Sequence, residues 1–208
     1  MRISRPKIER WHIAGLLGGL VFAILLAFAR LDVHALDLID IRISGALAPV
    51  RTYSWIRFFL AVTVLGSGIG VATVGIGAAI FLRTRMRIER RLAAAVLLTA
   101  TSVELAKEFV ERQRPSPVEW VAPLHSYSYP SGHTAMATAL YGFLLIVLYR
   151  HSRTSFGALL AVLVPSLIIL AVGVSRMALS LHYFTDVLGG FLLGLFWLTV
   201  VFAIPHRK

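Results

Sequence analysis

His182 and Asp186 are a histidine and an aspartate four positions apart, and this spacing would allow them to act together chemically. Residues i and i+4 share one face of a helix, so the spacing predicts that the two side chains meet. A carboxylate that accepts a hydrogen bond from Nδ1–H leaves Nε2 with a lone pair that can attack phosphorus. Such a pair alone is a weak signal, because the same spacing is common in structural pairs.

Three cations on separate segments could act with this pair, namely Lys107, Arg114 and Arg176. Arginine offers a planar fork to phosphate oxygens, and lysine adds a compact point charge. The three charges would repel one another unless an anion such as a phosphate dianion lies among them. Arg114 taken alone could be an interfacial residue that reaches for water, so the prediction of a phosphate site rests on the group.

The segment Pro130-Ser131-Gly132-His133 has the sequence of a helix start. Proline is favoured near the first turn, serine is a favoured N-cap, and glycine lets a ligand approach the backbone. The free N–H groups of such a terminus attract anions. His133, which comes from a different helix than His182, is then available to protonate a leaving oxygen.

Together these blocks resemble the tripartite signature of the type 2 phosphatidic acid phosphatase superfamily. The chain carries Lys-x6-Arg-Pro, Pro-Ser-Gly-His and Ser-Arg-x5-His-x3-Asp between Lys107 and Asp186, and all eleven specified positions match. The signature also occurs in soluble vanadium haloperoxidases. The hydrophobicity and short length of this chain favour the membrane branch instead.

The resemblance implies a role for each matching residue. It implies that His182 becomes a phosphohistidine, that Asp186 orients it, and that His133 is the general acid. The implied phosphate ligands are Lys107, Arg114, Ser131, Gly132 and Arg176. It implies neither a metal ion nor another cofactor.

The composition predicts that the elements holding these residues are membrane-spanning helices. Of 208 residues, 58% are hydrophobic and 15% are charged, whereas soluble domains carry about a quarter charged residues. Six apolar runs approach the ~20 residues that a bilayer requires: Trp11–Ala29, Leu60–Leu82, Leu92–Leu105, Thr134–Tyr149, Phe156–Val174 and Val187–Ile204. We therefore predict one all-α domain over residues 1–208, a six-transmembrane-helix bundle with its active site at one membrane face.

The distribution of basic residues predicts the orientation of this bundle. With six spans, one side of the membrane holds the N-terminal tail, the loops after the second and fourth spans, and the C-terminus, and these carry 13 of the 21 Lys and Arg residues. The positive-inside rule then places both termini in the cytoplasm and the signature residues outside. The same rule accounts for the net charge of +11 without a nucleic acid partner.

Several other residues receive structural interpretations. Leu36, Ile39 and Ile43 have helical spacing, which predicts a short helix lying in the membrane interface. The glycines at 66, 68 and 70 lack a following lysine, so they predict close helix packing rather than a phosphate loop. Gly15, Gly19, Gly190 and Gly194 receive the same interpretation.

The carboxylates of Glu104, Glu108 and Glu111 lie one turn or less from Lys107 and are predicted mainly to neutralise Lys107 and Arg112. The long loop between the first two signature blocks must border the site. Its residues Glu119, Trp120, His125 and Tyr127 have no assigned role.

These observations predict a lipid phosphate phosphatase of a bacterial inner membrane, whose partners are a lipid phosphate substrate and the bilayer. Analogy with the family ranks undecaprenyl pyrophosphate first as the substrate, followed by phosphatidylglycerol phosphate, phosphatidic acid and lipid A phosphate. A phosphotransferase that passes the phosphoryl group to another lipid is an alternative. A transporter is less favoured, because transporters place polar groups near the midplane and not at one face.

Overall fold

The computed structural model describes residues 8–31, 34–81, 86–118, 121 and 125–204, and over these residues the chain is helical. The α-helices are α1 Ile8–Arg30, α2 His34–Ala46, α3 Tyr53–Thr63, α4 Gly68–Phe81, α5 Met86–Val110, α6 Gly132–His151, α7 Ser155–Ala178 and α8 Phe184–Ala203. Two short 3-10 turns, Ala48–Val50 and Val64–Gly66, connect them. The described residues contain no strand, as the sequence predicts.

Helix α6 lies at the centre of the fold and packs against α5, α7 and α8. Two glycines of α8 allow the closest of these approaches. A Cβ at Gly194 would lie 2.8 Å from the carbonyl oxygen of Ala135, and one at Gly190 would clash with the carbonyl of Ser131. The predicted packing role of both glycines is confirmed, and α8 is held directly against the start of α6.

The predicted second span, Leu60–Leu82, is not one continuous helix. It breaks between α3 and α4, whose axes differ by 56°. Ser67 has an extended backbone and its Oγ accepts a hydrogen bond from Gly70 N at 3.1 Å, so a new helix starts there. Gly66 packs at the break, where a Cβ would lie 2.7 Å from the carbonyl oxygen of His133. The packing role of this glycine is confirmed, and the second apolar run forms two helices instead of one.

Among the described residues, three helices (α6, α7 and α8) are long and apolar enough to cross a membrane, and the bent pair α3–α4 would make a fourth span. Helix α7 has the most lipid-like surface, with Leu163, Leu167 and Leu170 each about half exposed. An exposed stripe of this kind suits contact with lipid chains. The chain is therefore a helical integral membrane protein, and the count of six spans stays a prediction.

Helix α2 forms where the sequence predicts a short interfacial helix, and among its described side chains the buried one is a carboxylate. Ile39 is 45% exposed, and its neighbour Asp40 is 1% exposed. Leu38 and Ile41 are exposed as well. The helix therefore turns apolar side chains outward and a carboxylate inward.

Candidate active site

The short link between α7 and α8 places His182 beside Arg176. Arg176 lies in the last turn of α7, and its carbonyl oxygen accepts hydrogen bonds from Leu181 N at 3.0 Å and His182 N at 3.3 Å. The link between the two helices therefore packs against the C-terminal end of α7. His182 and Arg176 are 4% and 3% exposed.

His182 and Asp186 meet, although not on one helical face. Helix α8 begins at Phe184, so His182 precedes the helix and the prediction of a shared face is wrong. The contact arises from the helix start, where Asp186 Oδ2 accepts from Tyr183 N at 2.8 Å. The same oxygen lies 3.5 Å from His182 Nδ1 and accepts a hydrogen bond from Ser128 Oγ.

Arg114 contacts the other nitrogen of His182. Its Nη1 lies 2.9 Å from Nε2 and also donates to the carbonyl of Leu181 at 2.7 Å. The rest of the guanidinium donates to the carbonyls of Ser126 and Tyr127. A guanidinium can only donate, so Nε2 is the unprotonated nitrogen and Nδ1 carries the proton towards Asp186.

The start of α6 lies against this pair. Ser131 is at the N-cap position, as predicted, and its backbone N–H donates to the carbonyl of Asp186 at 2.9 Å. Its hydroxyl accepts from Thr134 Oγ1 at 3.0 Å and makes no capping bond. The first-turn N–H groups of a helix have no intrahelical partners, so this end of α6 presents free donors.

Lys107 and His133 complete the cluster. A Cβ at Gly132 would lie 4.0 Å from Lys107 Nζ, so the lysine reaches the start of α6. Lys107 is 8% exposed and pairs with Glu104 at 2.9 Å, which confirms that predicted pair. His133 follows Gly132 in the first turn of α6 and lies within electrostatic range of the cations Arg176, Lys107 and Arg114. The structure thus brings all eight predicted residues together at one end of α6.

Burial, together with the nearby cations Arg176 and Arg114, lowers the pKa of His182 to about 4, although Asp186 acts in the opposite direction. A histidine with this pKa is neutral at neutral pH. The neutral imidazole is the form that has a lone pair to share.

Arg176 keeps part of its donor capacity unused. Its Nη1 donates to Thr63 Oγ1 at 3.0 Å, which ties α7 to α3. Its Nε is buried and has no hydrogen-bond partner among the residues that the structure describes. A buried donor without a partner is costly, so a site that receives an acceptor such as a phosphate oxygen would explain it.

Sequence reasoning missed four residues that surround Asp186, which are Asp40, Arg112, Ser128 and Thr185. Arg112 was predicted to pair with nearby glutamates, but its shortest ion pairs are with Asp40 and Asp186, both at 2.8 Å. One signal was present, since Asp40 stands directly between two isoleucines, Ile39 and Ile41. A carboxylate between apolar residues usually pairs with a cation or a hydrogen-bond donor, so this position indicated a partner elsewhere in the chain.

The loop between α5 and α6 borders the cluster with a pocket of about 280 Å³. His125 and Tyr127 line it together with Arg112, Arg114 and Leu181. Glu119 and Trp120, which the sequence also singles out, lie outside the described residues. In the described part of the chain, no group of three His, Cys, Asp or Glu side chains is arranged to hold a metal ion.

Comparison with known proteins adds sequence and fold relationships. Residues 89–208 match the sequence profile of the PAP2 superfamily. Phosphatidylglycerophosphatase B of Bacillus subtilis (strain 168) is 38% identical over 96 residues, which are 44% of this chain and 45% of that protein. The match therefore spans less than half of this relative.

Two crystal structures share the fold. One is described as the first transmembrane PAP2 type phosphatidylglycerolphosphate phosphatase from Bacillus subtilis. It has a TM-score of 0.79 and 27% identity, and the alignment covers 93% of this chain and 98% of that one. LpxE of Aquifex aeolicus has a TM-score of 0.61 and 23% identity, with 78% and 94% coverage, and supports the fold alone.

Proposed function

The chain belongs to the PAP2 superfamily, and on that premise we propose that it is a membrane phosphatase that hydrolyses a lipid phosphate through a phosphohistidine at His182. The family resemblance carried by the three motifs is confirmed, since the matched region includes all of them. One observation supports the reaction most directly. The Nε2 of His182 lies 2.9 Å from Nη1 of Arg114, which can only donate, so this nitrogen keeps a lone pair.

In the first step, His182 Nε2 attacks phosphorus and the bond from phosphorus to the lipid oxygen breaks. The electron pair leaves with the lipid oxygen, which takes a proton from His133. The imidazole becomes positively charged as the N–P bond forms. Asp186 accepts the Nδ1–H and stabilises that charge, as a carboxylate does for a catalytic imidazole.

In the second step, a water molecule attacks phosphorus on the side that the lipid alcohol has left. His133, now neutral, takes a proton from this water, and the N–P bond breaks. The products are orthophosphate and the original neutral His182. No electron transfer occurs, and the proton that His133 gave in the first step is recovered in the second.

The cations have a separate task, which is to hold the phosphate oxygens. Arg114, Lys107 and Arg176 approach the site from three segments, and the first turn of α6 adds backbone donors. Each charge-assisted hydrogen bond is worth about 1.5–3 kcal/mol. Negative charge shifts towards the leaving oxygen during the transfer. Hydrogen-bond donors that are already held in place around the phosphate therefore stabilise the transition state.

The substrate is a lipid phosphate, and phosphatidylglycerol phosphate is the first to test. The sequence ranking placed undecaprenyl pyrophosphate ahead of it by analogy. The phosphatidylglycerophosphatase relative and the 27% identical structure support the change of order. The pocket lined by His125 and Tyr127 lies beside Arg114, so we assign headgroup selection to this loop.

The active site is proposed to face outward, with six spans and both termini in the cytoplasm. The support is the placement of 13 of 21 basic residues in the opposite segments. The chain has no cysteine, so single cysteines report topology directly. An impermeant thiol reagent should label Ser116→Cys and not Arg153→Cys in intact spheroplasts, and both positions are exposed. The reverse pattern contradicts this orientation.

Phosphate release from a panel of lipid phosphates tests the function. Purified protein in detergent should release orthophosphate from at least one of phosphatidylglycerol phosphate, phosphatidic acid and undecaprenyl pyrophosphate. His182→Ala is the matched control and should release none above background. Transfer of phosphate to a second lipid without free orthophosphate would identify a phosphotransferase. Absence of both products in folded protein contradicts the proposal.

A further inference from the structure

Helix α2 buries one carboxylate, and its contacts point into the active site. Asp40 accepts hydrogen bonds from Thr185 N at 2.9 Å, Thr185 Oγ1 at 2.6 Å and Arg112 Nη2 at 2.8 Å. A buried charge is costly unless it is paired and hydrogen-bonded. Asp40 meets both conditions, and both of its partners lie next to Asp186.

Arg112 connects the two carboxylates. One arm of its fork, Nη2, donates to Asp40, and the other arm, Nη1, donates to Asp186 Oδ1 at 2.8 Å and Thr185 Oγ1 at 2.7 Å. The guanidinium also lies 4.5 Å from the ring centre of Tyr183. Only a planar fork can hold two carboxylates in one plane while it stacks on an aromatic ring.

These contacts fix the orientation of Asp186. Its Oδ1 accepts from Arg112, while its Oδ2 accepts from Ser128 Oγ and Tyr183 N and faces His182 Nδ1. Rotation of the carboxylate would break several of these bonds at once. Residues other than His182 and Asp186 therefore determine which oxygen of Asp186 faces the imidazole.

Charge balance gives Asp40 a second effect. Asp40, Arg112 and Asp186 together carry one net negative charge, which remains available to the imidazole. Burial acts to lower the pKa of Arg112, but Asp186 and Asp40 more than offset this and raise it, so the guanidinium stays charged. Without Asp40, Arg112 would be left to neutralise Asp186 alone.

We propose that Asp40 and Arg112 are a positioning pair that orients Asp186 and, through it, keeps the Nδ1–H tautomer of His182. The inference rests on the proposed phosphatase function. It gives α2 a role beyond that of an interfacial element, because Asp40 ties this helix to the start of α8. Asp40 and Arg112 support the nucleophile, whereas Lys107, Arg114 and Arg176 bind phosphate.

Asp40→Asn is the direct test, with Asp37→Asn as its matched control. Asp37 is on the same helix and lies 3.5 Å from Arg112 Nη2, but 39% of its side chain is exposed. Exposed pairs contribute little, so Asp37→Asn should keep kcat within about twofold. Asp40→Asn should lower kcat about 10- to 100-fold, which is the loss expected for a buried charge-assisted hydrogen bond. The inhibition constant of orthophosphate should change less than about threefold, since the phosphate ligands are intact.

A double-mutant cycle separates positioning from general structure. If Asp40 acts through Asp186, Asp40→Asn should cost little in an Asp186→Asn background, because residues that act as a unit are non-additive. An aryl phosphate with a good leaving group keeps the weak variants measurable. If Asp40 only supports the fold, the two losses multiply, and that result contradicts the inference.

Arg112→Lys is a second test of the positioning pair, and it does not depend on the activity of the Asp186 variant. Lysine keeps the charge but cannot donate from a fork to both carboxylates, so kcat should fall nearly as far as in Arg112→Gln. Elution as a monodisperse species in detergent checks the fold of each variant. Wild-type kcat in Arg112→Lys contradicts the inference.

The outcomes also separate this inference from the proposed function. A wild-type protein that releases no phosphate contradicts the function, and with it the inference. An active wild type in which Asp40→Asn behaves like Asp37→Asn contradicts the positioning pair alone. An Asp40→Asn variant whose orthophosphate inhibition weakens as much as its kcat falls has a collapsed site, and that contradicts the inference as well.

Discussion

Arg114 donates a hydrogen bond from Nη1 to Nε2 of His182 across 2.9 Å, so the proposed nucleophile and a proposed phosphate ligand are in direct contact. The contact requires a lone pair on Nε2. It also keeps the guanidinium beside the atom that is to bind phosphorus. When a phosphate approaches, Arg114 can exchange this bond for one to a phosphate oxygen without leaving its carbonyl partners.

Replacement of Arg114 by lysine should lower kcat/KM about 100-fold or more. Lysine keeps the charge but cannot hold Leu181, Tyr127 and a phosphate oxygen together, and each lost charge-assisted bond costs about 1.5–3 kcal/mol. Steady-state kinetics on the best lipid phosphate measure the effect. Arg153→Lys, an exposed change on another loop, should leave kcat/KM unchanged. Equal activity of the two variants would remove Arg114 from the site.

The pH dependence should report the depressed pKa of His182. Burial lowers that pKa to about 4, and the neutral form is the nucleophile, so activity should persist as pH falls through 6.5 and be lost near 4. At pH 5, a histidine with an ordinary pKa of about 6.5 would be only about 3% neutral, which is a loss of roughly thirtyfold.

The measurement is kcat/KM between pH 4 and pH 8 for an aryl phosphate, whose leaving group needs no proton from His133. The second ionisation of the substrate phosphate, near pH 6, is determined separately and divided out. The corrected kcat/KM should stay nearly flat from pH 7 to pH 5. A thirtyfold fall over this range would mean that His182 titrates normally and that its burial has no effect on the nucleophile.

The sequence predicted much of the site because its motifs place several of the residues at helix ends. Lys107, Ser131 and Arg176 lie at the ends of α5, α6 and α7, and three such ends can meet only at one face of the bundle. Gly190 and Gly194 predicted the close packing that brings α8 against α6. The pairing of Glu104 with Lys107 followed from local spacing alone.

The remainder of the site depends on contacts between distant parts of the chain, which spacing does not encode. Asp40 and Thr185 are far apart in sequence and meet only after α2 packs beside α8. Arg112 had glutamates within reach locally, and tertiary structure gave it more buried partners. The bend at Ser67 was missed for a related reason, because a run of glycine and apolar residues satisfies hydropathy whether or not the helix is continuous.

Vanadate should inhibit the enzyme strongly, and chelators should not. Vanadate can adopt the trigonal-bipyramidal arrangement of in-line transfer, so a site that stabilises this transition state should bind it more tightly than orthophosphate. Arg176→Lys should weaken vanadate inhibition at least about tenfold, because one charge-assisted bond is lost. Inhibition constants and activity in excess EDTA provide the test. Activity lost in EDTA and restored by Mg²⁺ would contradict a mechanism carried by protein groups alone.

Gly190→Ala should destabilise the protein and reduce activity together. The added methyl group would press on the carbonyl of Ser131, at the start of α6. Overpacking of this kind costs about 1–3 kcal/mol, so the melting temperature in detergent should fall by several degrees. Gly77→Ala is the control, since a Cβ there meets nothing within 4 Å. An unchanged melting temperature in Gly190→Ala would show that the two helices are not in close contact.

The covalent state of His182 during turnover tests the central claim most directly. His133→Ala removes the base that activates water, while an aryl phosphate can phosphorylate the enzyme without an acid because its leaving group is stable. Mass spectrometry of the rapidly quenched His133→Ala variant should find one phosphoryl group on the peptide that contains His182. The His133→Ala/His182→Ala double variant should carry none. Continued turnover without enzyme-bound phosphate, or phosphate on a different residue, would contradict the account.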